Sequence, residues 1–140
     1  EILRVLRPDG YCIHAMPTHS WRFWTTLSAF PTALQYAAEQ IATDAHVVRI
    51  ARRLASPFVQ KRHGERGNVV SELWLFHPRW WRRAFLADGF DIVWDQPLGL
   101  FYTGNATLGR HLSIEARRLA ARALGSACHV FKLTRHGPPR

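Results

Sequence analysis

Cysteine, lysine and methionine are nearly missing from this 140-residue chain. Its two cysteines, Cys12 and Cys128, are too few for a disulfide-stapled secreted scaffold. No run of about 18 or more apolar residues occurs, which excludes a membrane-spanning helix. No charged-then-apolar leader with a small-residue cleavage site opens the sequence. The expectation is a cytoplasmic chain with reduced thiols. Glycine-rich G-x-G turns, G-x-S-x-G elbows and phosphate loops are absent as well.

What is present fits one domain at most. Hydrophobic residues make up 47% and aromatics 12%, enough for a packed core and too much for a disordered tail. The net charge is +9, and only Lys61 and Lys132 are lysines; all other basic residues are arginines. An arginine excess also follows from GC-rich coding, so the charge alone assigns no partner. The basic residues are spread over helices rather than gathered in one run. That suits solvated helix faces better than a nucleic-acid footprint. No DNA partner is expected; peripheral contact with an anionic membrane remains open.

Tyr11 to Met16 is a short apolar run after the turn Arg7-Pro8-Asp9-Gly10 and reads as a buried strand. Residues 21–30 read as an aromatic-rich helix that Pro31 interrupts. Thr32 to Ala55 read as a long amphipathic helix with an arginine-rich end at Arg49, Arg52 and Arg53. Lys61 to Asn68 form a polar loop, and Val69 to Phe76 an extended approach. A helix from Pro78 to Gly89 leads into a strand, Phe90 to Trp94. Ser113 caps a helix over Ile114–Leu124, with Leu119, Ala120, Ala123 and Leu124 apolar and Arg117, Arg118 and Arg122 wet. Ala127 to Thr134 is the last strand. Strands alternating with helices predict an α/β architecture.

Three segments, in order, carry a resemblance. Glu1-Ile2-Leu3-Arg4-Val5-Leu6-Arg7-Pro8-Asp9-Gly10-Tyr11 resembles the turn that enters the fifth strand of class I S-adenosylmethionine-dependent methyltransferases. Phe76-His77-Pro78, then Trp81, Phe85, Leu86, Asp88, Gly89, Phe90, Asp91, Ile92 and Val93, resemble the helix and sixth strand of that family. Ala127 to Thr134 resembles its antiparallel seventh strand. The branch is methyltransferase type 11. Asp9 stands where the family usually has Gly, and Asp tolerates left-handed backbone geometry.

The resemblance implies the C-terminal part of a Rossmann-like sheet, with residues 17–68 a helical substrate-side insertion and 100–125 a loop and helix insertion. Residues 1–140 are then one partial domain. Glu1 at the start of a helix already under way, and Met16 as the sole methionine, fit the C-terminal piece of a longer protein. The resemblance implies S-adenosyl-L-methionine as the cofactor of the parent protein. The glycine-rich loop and the ribose-binding acid of the family have no counterpart here. The fragment alone is therefore expected to be inactive. The resemblance also puts Cys12 and Cys128 on neighbouring strands, as buried, unpaired thiols.

Ligands of open α/β sheets sit beyond the carboxyl ends of strands. His14, Met16, Thr18 and His19 close the first strand here. His19 is the candidate catalytic base or substrate contact, against the plainer reading of a loop histidine bonded to backbone. His14 reads as a satisfied core histidine. Trp21, Arg22 and Trp24 are candidates to line an acceptor pocket, Arg22 meeting an anionic group. Core packing is the competing role for the aromatics. Tyr102 and Asn105 join them if the insertion folds back. No His-x-x-x-His or Cys-x-x-Cys pair argues for a metal. The functional expectation is methyl transfer by the parent protein to a small-molecule or lipid-like acceptor. The alternative is a non-enzymatic basic helical module for anionic membrane or RNA, built on the Thr32–Ala55 helix with Lys61, Arg62 and Arg66.

Overall fold

The computed structural model describes residues 1–42, 51, 63, 67–102 and 111–137. Five helices and three strands are defined among them. In chain order they are α1 (Ile2–Val5), β1 (Tyr11–Pro17), α2 (His19–Ala42), α3 (Val69–Leu75), α4 (Pro78–Ala87), β2 (Phe90–Pro97), α5 (Ile114–Leu124) and β3 (Cys128–Arg135). The architecture is mixed helix and strand around a three-stranded antiparallel sheet.

The sheet order is β1-β3-β2. β3 lies in the middle and pairs antiparallel with both neighbours. β1 and β2 therefore run the same way, and their carboxyl ends share one edge. Tyr11 pairs with Thr134 and Pro17 with Cys128. Phe90 pairs with Arg135 and Pro97 with His129, with a register shift between Ile92 and Trp94. That shift puts Asp95 opposite Phe131.

Strand alternation divides the sheet into two faces. On one, Phe131 and Leu133 are fully sealed and pack with Phe85 and Phe90. Leu3, Leu6, Cys12, Met16, Trp81 and Ile92 close around them. Helices α1 and α4 thus cover this face. On the other, Tyr11, Ile13 and Trp94 stay exposed, and Lys132 Nζ sits 4.1 Å from the centre of the Tyr11 ring.

Several sequence expectations hold. The Arg7–Gly10 turn closes with a Gly10 N–H to Arg7 carbonyl bond of 3.0 Å. Pro78 opens α4, and Gly89 follows it at φ +86, a conformation suited to glycine. Ser113 caps α5 by accepting from the Ala116 N–H.

Others are corrected. Pro31 does not interrupt the helix; α2 runs through it, anchored by buried Ala33 and Ala37. Proline removes one backbone donor, and packing of this face outweighs that loss. The rest of the expected Thr32–Ala55 helix lies outside the described residues, Ala51 excepted. Val69 to Leu75 is helix, not extended approach. Asn68 caps it, accepting from the Val70 and Ser71 N–H groups, while the Ser71 hydroxyl accepts from the Asn68 N–H. β2 continues past Trp94 to Pro97. In α5, Leu119 and Leu124 are exposed, and the expected wet residue Arg117 is half-buried, its Nε donating to the Phe101 carbonyl at 3.0 Å. Cys12 and Cys128 are unpaired on neighbouring strands as expected, yet half-buried rather than buried; burial still pushes both thiols up.

Candidate functional site

The carboxyl end of β1 turns directly into α2 through Thr18. The buried Thr18 hydroxyl donates to the Ser126 carbonyl at 2.5 Å and accepts from the Trp21 N–H at 3.2 Å. One hydroxyl therefore caps α2 and ties it to the approach to β3. This fixes where the next side chains of α2 point.

His19 is half-buried, and its ring stacks on His77 with centroids 4.9 Å apart and planes 15° apart. His77 is itself the cap of α4, its Nδ1 accepting from the Arg79 N–H at 3.2 Å. Burial lowers the His19 pKa, and the neighbouring His77 lowers it further. His19 Nδ1 is buried without a hydrogen-bond partner among the described residues. A neutral imidazole at a strand's carboxyl end has the protonation state a general base requires.

Trp21 and Tyr102 come together, with ring centroids 6.4 Å apart. Phe76 joins them at 6.0 Å from Trp21, and His63 meets the Trp21 ring edge-on at 5.0 Å. The result is an aromatic cluster around Trp21 in the first turn of α2. Asn105 lies outside the described residues.

Arg22 does not line a pocket for an anion. Its side chain is fully buried, and Nε lies 3.0 Å from Glu72 Oε2, also fully buried. The arrangement is a charge contact between α2 and α3 without ideal hydrogen-bond geometry. Arg22 also lies 2.7 Å from His63 Nδ1, and the His63 N–H donates to Glu72 at 2.5 Å. Burial lowers the Arg22 pKa while Glu72 opposes that shift. An arginine neutralised internally has no charge left for a substrate. Trp24 is structural too: its indole N–H donates to the Leu124 carbonyl at 3.0 Å, and its ring meets Phe101 edge-on.

His14 sits on the covered face with its ring 5.4 Å from Phe85. Its Nε2 is buried without a hydrogen-bond partner among the described residues, so it is not the satisfied core histidine expected.

One cluster was not anticipated. Asp95 on β2 accepts two bonds from Arg82 on α4 and lies 2.6 Å from His129 Nε2 on β3. The Arg82 bond holds the Asp95 carboxyl below its usual range, and His129 adds to the effect against burial. Asp95 and His129 lie toward the carboxyl ends of β2 and β1. Among the described residues, no three His, Cys, Asp or Glu side chains converge to hold a metal ion.

No family model, curated protein or solved structure matches this chain. The arginine-rich helix end and Lys61, Arg62 and Arg66, on which the basic-module alternative rests, lie outside the described residues.

Proposed function

We propose that this chain is the C-terminal, substrate-side portion of a class I S-adenosylmethionine-dependent methyltransferase of the type 11 branch. The parent protein transfers a methyl group to a small-molecule or lipid-like acceptor. One observation carries the reading: β3 closes the sheet beside β1 and antiparallel to it. The resembling segments support it by position. The Arg7–Gly10 turn enters β1, and Asp88-Gly89-Phe90 enters β2.

The described residues do not fit the cofactor. Gly67 is the one positive-φ glycine just before a helix, and Ser71 Oγ occupies the space beside it. Among the described residues no strand leads through a glycine-rich turn into a helix, and none of them cradles S-adenosylmethionine. In this reading the cofactor site belongs to another part of the parent.

The share of the work assigned to this chain is acceptor handling. Trp21 and Tyr102 form an apolar wall that orients the acceptor and excludes water. His19 takes the proton that a hydroxyl or amine acceptor must lose. Arg22 is left out of the role.

Equilibrium dialysis with labelled S-adenosylmethionine tests the proposal. The 140-residue chain is expected to retain none, and the protein extended through the upstream reading frame to retain it and methylate. In that longer protein, His19→Asn should lower turnover at unchanged cofactor retention. Tight retention by the short chain, or none by the extended protein, contradicts the reading.

A further inference from the structure

The side of α3 that faces away from Arg22 is apolar and uncovered. Val70, Leu73 and Trp74 recur at the three- and four-residue spacing of one helix face. Val70 is 76% exposed and Trp74 75%. Beside them, Trp74, His77, Arg79, Trp80 and Arg83 line one shallow cleft of about 170 Å3. Among the described residues neither Arg79 nor Arg83 forms an ion pair. Arg82, one position away, is neutralised by Asp95, and Glu72 is sealed beneath α3. Among the described residues no carboxylate lines the cleft.

We propose that this α3–α4 surface docks on an anionic membrane interface. Indole rings partition to the headgroup level, where the ring is apolar and the N–H stays wet. Val70 and Leu73 gain by entering the acyl boundary, and they offer nothing to a stacked base. That distinction favours lipid over RNA. The two unpaired guanidiniums sit at the rim, where the negative surface potential of the leaflet attracts them. A net charge of +9 adds long-range attraction of the same sign. The proposal stands without the methyltransferase reading, since it uses none of His19, Trp21 or Tyr102.

The test is sedimentation with vesicles of phosphatidylcholine alone and of phosphatidylcholine mixed with phosphatidylserine. Brominated acyl chains serve as a fluorescence quencher. The protein is expected to pellet with the anionic vesicles only, with quenched tryptophan emission. Trp74→Phe should keep binding but lose part of the quenching. Trp74→Ser should weaken binding. Arg79→Gln with Arg83→Gln should weaken it roughly thirty-fold, at about 1 kcal/mol per removed charge. All three positions are exposed, so unchanged circular dichroism is expected and checks the fold. Failure to bind anionic vesicles overturns the proposal. So does binding that survives both the serine and glutamine variants, or a patch protected by self-association or by RNA instead of lipid.

Discussion

Arg22 and Glu72 meet at 3.0 Å with both side chains completely closed to solvent. They come from helices 50 positions apart in sequence, and they hold α2 on α3. Isolated buried charges are costly, so removing one partner strands the other. Arg22→Ala or Glu72→Ala should each cost about 3–5 kcal/mol. Arg22→Ala with Glu72→Ala together should cost far less than the sum. A urea-denaturation double-mutant cycle reads this directly. Additive losses would show that the two groups do not share one energetic unit.

His19 gives the fold a defined pH dependence. Its pKa is lowered by burial and by His77 from an ordinary value of 6.5. The unfolded chain therefore binds the proton more readily than the folded one. The His19 contribution to stability is complete above pH 6.5 and is lost as pH falls below that toward the folded-state value. His19→Phe should flatten the stability slope in that window. A histidine-resolved NMR titration should place His19 below 6.5; a midpoint at or above it contradicts the buried stack.

The Asp95 carboxyl behaves in the same sense at lower pH. Its pKa is held below 3.8, first by Arg82 and then by His129. Its contribution is present above 3.8 and is lost as pH falls through the folded-state value. Asp95→Asn should cost about 1–3 kcal/mol at neutral pH, as expected for charge-assisted bonds that are partly shielded. Thermal melts at neutral and acid pH should show the difference between wild type and variant shrink on acidification. A constant difference would contradict the assignment.

Gly125 joins α5 to the approach to β3 at φ +89 and ψ 154, a region reserved almost wholly for glycine. An added Cβ would also lie 2.8 Å from Ser20 Cβ and closer still to its hydroxyl. Gly125→Ala should destabilise by about 1–3 kcal/mol from backbone strain alone. Ser20→Gly should recover only the steric share above that. Full recovery in the double variant would mean that the backbone conformation is not strained.

The contrast between legible and illegible features follows from interaction range. The Arg7–Gly10 turn, Pro78 at a helix start, Gly89 at its end and Ser113 as a cap all act within a few residues. Each was readable from the local residue order alone. Val69-Val70 looked extended because β-branched pairs favour strands, although Asn68 and Ser71 already spelled a capping box. Pro31 looked like a break because local rules weigh its missing N–H and not the burial of Ala33 and Ala37. Arg22 looked like an anion ligand because its partner is far away in sequence. The Asp95–His129 contact depends on sheet order and on the register shift after Ile92, which no short-range signal encodes.

The proposal is that this chain completes a methyltransferase whose cofactor site lies elsewhere in the same polypeptide. Reading the coding frame upstream of Glu1 tests it most directly. The account predicts a strand, a glycine-rich turn of G-x-G-x-G type, a helix, and an acidic residue after the next strand. A start codon or an unrelated domain immediately before Glu1 would contradict it.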